Sequence, residues 1–154
     1  MRRLTFLLLL ASCTLVLLLT ACTQEKNRFL IGVSQCSDDE WRTQMNKEIN
    51  REALFYPGLE VEIRSAHDDN QRQIEDIEYF IDEGADLIVV APNEANAIAP
   101  IVEKAYSQGI PVVLVDRKTD SDHYTAYIGA DNYDMGYQIG TYIASRLHGQ
   151  GNMV

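Results

Sequence analysis

The chain has 154 residues, 46% hydrophobic and 23% charged, enough for one domain with a buried core. Its formal net charge is −10, and the first 21 residues hold Arg2 and Arg3 but no acid, so the remainder is more acidic still. That balance disfavours a nucleic-acid partner, because phosphate backbones are met by positive surfaces.

Residues 1–22 read as an export signal rather than as part of a fold. Arg2-Arg3 is the basic start, Leu4 to Leu19 is almost unbroken apolar or small sequence, and Leu19-Thr20-Ala21-Cys22 closes it. The last four residues resemble the lipobox of bacterial lipoproteins, which implies Cys22 as the lipidated residue. Leu10-Ala11-Ser12-Cys13 fits the same pattern, but the apolar stretch before it is too short. An uncleaved anchor is the competing reading, since Leu4 to Ala21 is just long enough to span a bilayer. The lipoprotein is favoured, and both readings leave the rest of the chain outside the cytoplasm and tied to the membrane. If Cys22 carries lipid and Cys13 is removed, only Cys36 remains, so no internal disulfide is expected. No CxxC or Cys/His cluster suggests zinc, and neither metal nor cofactor is expected.

After a polar tether at 23–28, Phe29 to Ser34 reads as a first buried strand. Ser37-Asp38-Asp39-Glu40 has the form of a capping box, with Ser37 and Glu40 as its two partners. Trp41, Met45, Ile49 and Ala53 then mark one face of a helix that Pro57-Gly58 ends. Leu59 to Arg64 alternates polar and apolar residues, as expected of a strand near the sheet edge. His67 to Asn70 is a polar loop, and Ile74, Ile77 and Ile81 mark a second helix stopped by Gly84. Leu87 to Val90 is a third strand ending in Ala91-Pro92-Asn93. Ile98, Ile101, Val102 and Ala105 mark a third helix, in which Pro100 is tolerable only within the first turn.

Gly109 closes that helix. The Val112-Val113-Leu114-Val115 run that follows reads as a strand buried on both faces, stopping on Asp116-Arg117. Thr119 to His123 reads as an exposed turn, and Tyr127 to Ala130 as a short fifth strand. Asp131-Asn132 caps a last helix carrying Met135, Ile139, Ile143 and Leu147, whose Gly136 and Gly140 would let it lie close against a neighbour. Gly149 to Asn152 reads as a turn and Met153-Val154 as the start of another strand, which suggests a chain truncated within a larger fold. The order β-α-β-α-β-α-β-β-α argues an α/β fold with a mostly parallel, doubly wound sheet.

In such sheets ligands bind at the carboxyl ends of the strands. Ser34, His67 to Asn70, Asn93, Asp116 and Arg117 gather there. Asp116 and Arg117 join carboxylate acceptors to a planar fork of donors, which suits sugar hydroxyls, although a plain surface ion pair fits the sequence equally well. Trp41, the only tryptophan, could stack on a sugar ring or begin the buried helix stripe. Arg42 beside it points to the cleft or to solvent. His67 reads as a solvated loop histidine. No G-x-x-x-x-G-K-[ST], no G-x-G-x-x-G after a strand and no G-x-S-x-G occurs, so an enzyme is unsupported.

From Phe29 to Val154 the chain resembles the first lobe of the type 1 periplasmic sugar-binding proteins, the ribose-binding protein and LacI-like ligand-domain superfamily. Four stretches carry the likeness: Ile31 to Ser34, Gly84 to Pro92, Gly109 to Val113 through Asp116-Arg117, and Ile128 to Asn132 with Gly136. The resemblance implies that Asp116 and Arg117 contact sugar hydroxyls, and that Ser34, Asp38 and Trp41 add contacts from the first loop. That loop reads Gln35 to Arg42 where the family often has Asn and Phe.

Ser34 to Arg42 also looks like the sensor regions of the hybrid two-component systems of Bacteroides-type bacteria. In those, a periplasmic sugar-binding domain precedes a membrane helix and a histidine kinase. Three functions follow in order of preference: a sugar-sensing input domain, a lipid-anchored solute-binding protein serving an ABC permease, and an enzyme on the same scaffold. A LacI-type repressor is disfavoured, because an export signal stands where its DNA-binding helices would be.

Overall fold

The computed structural model describes residues 28–152. Residues 1–22, read above as an export signal, with Cys13 and Cys22, nearly all of the expected tether and Met153-Val154 lie outside them. The elements are β1 (Phe29–Gln35), α1 (Glu40–Ala53), β2 (Leu59–Ser65), α2 (Asn70–Asp82), β3 (Leu87–Val90), α3 (Ala95–Ser107), β4 (Val112–Val115), β5 (Ala126–Ile128) and α4 (Asn132–Arg146). They match the sequence reading in order and type. The five strands form one sheet in the order β2-β1-β3-β4-β5, and all four pairings are parallel. β2 is the edge strand that its alternation predicts.

The core lies between one face of the sheet and α2 and α3. Ile77 and Phe80 from α2, Ile98 and Val102 from α3, and Ile88, Val90, Val112 and Leu114 from β3 and β4 are fully buried there. Phe80 lies so close to β1 that a Cβ on Gly32 would fall 2.4 Å from its ring, so only glycine permits this contact. The opposite face is less well covered. Val113 and Val115 are only half-buried, so β4 is not sealed on both sides as its apolar run suggests.

Four further expectations are corrected. The cap of α1 is Asp39, whose carboxylate accepts from the Arg42 N–H, while Ser37 donates its hydroxyl to Asp39 instead of capping. Three oxygen-bearing residues precede the helix, and the one directly at its start prevails. Pro100 lies in the second turn of α3 on the exposed side, where water can take the place of its missing N–H. Thr119 and Ser121 are buried in the connection from β4 to β5, which runs in parallel without a helix. Finally, α4 is capped by Asp131 as expected, yet it has no buried residue, and Gly136 and Gly140 meet nothing within 4 Å.

Candidate functional site

The strand order reverses between β1 and β3, which opens a crevice at their carboxyl ends. β1 ends there in Ser34 and Gln35, both fully buried, and β3 runs out into Ala91-Pro92-Asn93. Beneath them sits Gln73 of α2, also fully buried. Its amide donates to the Ser34 hydroxyl at 3.3 Å and to the Ala91 carbonyl at 2.9 Å, and accepts from the Asn93 N–H at 2.8 Å. One side chain therefore ties the ends of β1 and β3 together. Sequence reading missed Gln73, which lies in the first turn of α2 with no motif around it; its polarity on the buried face of α2 was the one available sign.

Asp116 follows β4 directly and adopts a left-handed backbone with φ +68°. Its carboxylate accepts from the Arg42 guanidinium at 2.9 Å across the end of the sheet. The same guanidinium donates to Asp39 at 2.6 Å. Arg42 is only 6% exposed, so it does not point to solvent; it lies buried between Asp39 and Asp116 at the strand ends. Burial opposes its charge, but the Asp39 hydrogen bond and the nearby carboxylates outweigh that, and its pKa is raised. The Asp39 carboxyl is in turn lowered to about 2, chiefly by the Arg42 backbone N–H and then by the Ser37 hydroxyl. The Arg42 Nε is buried without a hydrogen-bond partner.

Trp41 is 54% exposed beside this pair, so the alternative that placed it in the buried stripe of α1 is overturned. The Arg42 guanidinium lies 5.4 Å from its ring centroid. Arg117 does not pair tightly with Asp116: its Nε is 3.9 Å from the carboxylate, while Nη1 donates to the Asn93 carbonyl at 2.9 Å. The Asn93 amide donates to Asn70 at 2.7 Å and to the Asp68 carbonyl at 3.2 Å. Asp38 pairs with His67, which is thus engaged and not simply solvated. Arg42 and Asp116 therefore form one connected group, and Ser34, Asn93 and Arg117 form another through Gln73. Trp41 flanks the first group, and Asp38 lies in the same loop. A cavity of about 600 Å³ opens against Asp116, Arg117, Tyr127 and the turn from Gly129 to Asn132. Among the described residues no group of His, Cys, Asp or Glu is arranged to hold a metal ion.

The sequence model of the periplasmic binding protein domain matches residues 31–154. The chain is 31% identical over 150 residues to the ribose import binding protein of Bacillus subtilis, covering 89% of this chain and 48% of that protein. Among solved structures it is similar to the fructose-binding periplasmic domain of a hybrid two-component system, with 64% identity, a TM-score of 0.78, and coverage of 81% of this chain and 42% of that one. It is also similar to an ABC transporter solute-binding protein from Bacillus halodurans C-125 with bound myo-inositol, at 30% identity and a TM-score of 0.77, covering 84% and 46%. The chain spans about half the length of these relatives. With the parallel sheet, its strand order and the polar rim at its carboxyl ends, these matches show that the chain belongs to the periplasmic binding protein domain family.

Proposed function

We propose that this chain binds a small neutral sugar outside the cytoplasm, as the input domain of a two-component sensor. The observation that carries the reading is the Arg42–Asp116 pair at the strand ends, with the exposed Trp41 indole beside it. Fixed donors and acceptors next to a flat apolar face suit a ring bearing hydroxyls. Asp116, Arg117 and Asn93 supply polar contacts from one side, and Ser34 at the end of β1, Asp38 in the loop and Trp41 and Arg42 at the start of α1 from the other. The chain itself performs no chemistry on the sugar; its relatives are named as binding proteins and binding domains.

The 64% identity to a fructose-binding domain of a hybrid two-component system supports the sensor reading and makes fructose the first probe. The lipobox-like Cys22 and the import proteins among the relatives support a second reading, a lipid-anchored carrier handing sugar to an ABC permease. In this proposal residues 1–22 export and anchor the chain, 23–28 tether it, and 29–154 belong to the first of two lobes. Among the described residues no helix is long and apolar enough to cross a membrane.

Calorimetric titration of the full-length protein with fructose, ribose and myo-inositol tests the binding reading. Saturable heat with one of them is expected; none with any neutral monosaccharide or polyol refutes it. The reading frame beyond Val154 separates the two roles. Continuation into an apolar span and a kinase marks the sensor, and an end after one further lobe marks the carrier.

A further inference from the structure

We infer that Tyr127 is a positioning residue of the sugar site, its phenol hydroxyl fixing the backbone that presents the Asp116 carboxylate. This rests on the sugar-binding reading above and names a residue that reading does not contain. Asp116 holds a left-handed backbone, which aspartate tolerates better than most residues with a Cβ but which contacts from β5 fix further. Both peptide groups of Asp116 are secured by β5. Its N–H donates to the Ile128 carbonyl at 2.9 Å, and its carbonyl accepts from the Tyr127 hydroxyl at 3.0 Å. The same hydroxyl faces the Ala130 carbonyl at 3.1 Å. A phenol has one proton, so the two carbonyls share it, and the end of β4 is tied to the turn that enters α4.

The seat of this phenol is built for it. A Cβ on Gly129 would fall 2.1 Å from the hydroxyl oxygen, so only glycine leaves room there. The ring is half-buried against the core, and the Lys118 ammonium lies 4.9 Å from its centroid. Removing the oxygen alone therefore leaves the ring's packing in place. Tyr127 also lines the cavity that Asp116 and Arg117 face. Any sugar held by Asp116 thus meets a carboxylate whose direction depends on a bond made 11 positions away.

The test is Tyr127→Phe in the full-length protein, alone and combined with Asp116→Asn, which keeps a residue tolerant of the left-handed backbone. Fructose affinity is read by calorimetry. Loss of one hydrogen bond that orients the carboxylate should weaken binding about fivefold. In the Asp116→Asn background, where the charge being positioned is gone, the same substitution should change affinity less than twofold. Equal losses in both backgrounds, or no loss in the first, overturn the inference. A second readout needs no sugar: amide exchange at residues 116–118 of the unliganded protein should accelerate in Tyr127→Phe. Unchanged exchange overturns the inference as well. Accelerated exchange in a protein that binds no sugar refutes the sugar reading instead and leaves the positioning role standing.

Discussion

Replacing Asp116 by Asn and by Ala separates its two roles, since one change removes charge and the other also removes the side chain that suits its backbone. Asn tolerates the left-handed region and keeps an oxygen toward Arg42, so only the negative charge is lost. A hydrogen bond to a charged group contributes about 1.5–3 kcal/mol against about 0.5–1.5 for a neutral one, so each sugar hydroxyl on the carboxylate loses about 1–2 kcal/mol. The dissociation constant should rise about 5- to 30-fold. Stability should change less. The Asp116 side chain is 37% exposed and Arg42 keeps Asp39, so the pair is discounted to the ~0.2–1 kcal/mol of a solvent-screened bridge. Asp116→Ala adds the left-handed penalty of roughly 1–2 kcal/mol and strips the Arg42 Nη2 of its acceptor. At about 2–4 °C per kcal/mol, its unliganded melting temperature should fall by about 5 °C, against about 2 °C for Asn. Calorimetric titration and thermal unfolding of both variants measure this. An Asn variant that binds within twofold of wild type refutes the contact, and equal melting temperatures for the two variants refute the backbone argument.

Trp41 is the sole indole of the chain and is half-exposed beside Arg42, so a bound sugar should shift its emission. A saturating sugar that leaves the spectrum unchanged removes Trp41 from the site. Gln73→Leu leaves the Ser34 hydroxyl, the Ala91 carbonyl and the Asn93 N–H short of a partner in a buried place, at a cost of about 2–4 kcal/mol in denaturant unfolding. A loss under 1 kcal/mol would mean that Gln73 does not tie the strand ends. Gly32→Ala drives a methyl into the Phe80 ring and should cost about 1–3 kcal/mol, with a neutral result ruling out the close approach. The Asp39 carboxyl is lowered from 3.8 to about 2, so its folded form favours the charge. Its contribution is complete above the unfolded value and is lost as pH falls toward 2. Acid titration followed by Trp41 emission should show a step centred near pH 2 that Asp39→Asn abolishes; persistence of the step in that variant assigns it elsewhere.

The strands and helices were readable because burial writes itself into the chain as long apolar runs and spaced isoleucines. Val112 to Val115 and Ile98 to Ala105 needed no partner to be recognised. The candidate site residues differ in this respect. Asp116 and Arg117 stood out by stopping a strand, a local mark. Arg42 did not, because its burial depends on a carboxylate 74 positions away, and nothing beside it announces that. The α1 cap was misplaced for a related reason. Ser37, Asp38 and Asp39 are all capable acceptors, and the choice falls to the Arg42 contact, which holds Asp39 in place. The apolar spacing of α4 was real in sequence, yet its Met135 and Ile139 are exposed among the described residues, since periodicity reports a face and not what covers it.

These long-range contacts have a consequence for affinity. A side chain that is mobile before binding and fixed afterwards forfeits about 0.5–1.5 kcal/mol of rotamer freedom. At this rim the forfeiture has already been made during folding. Arg42 is gripped by Asp39 and Asp116, Asp116 by Arg42 and by the Tyr127 hydroxyl on its carbonyl, Arg117 by the Asn93 carbonyl, and Asn93 by Asn70 and Gln73. For the four side chains Arg42, Asn93, Asp116 and Arg117 the saving amounts to about 2–6 kcal/mol, which is 30-fold or more in affinity. The same links also balance charge, with Arg42 lying between two carboxylates. A ligand meeting this rim finds directed donors and acceptors around a neutralised cation, which favours hydroxyls over a phosphate. Fructose should therefore bind far more tightly than fructose 6-phosphate in parallel titrations. A preference for the phosphate ester would show that a positive charge is available to ligand, either that of Arg117 or Lys118 at the cavity wall or that of Arg42 after the Asp39–Arg42–Asp116 link opens.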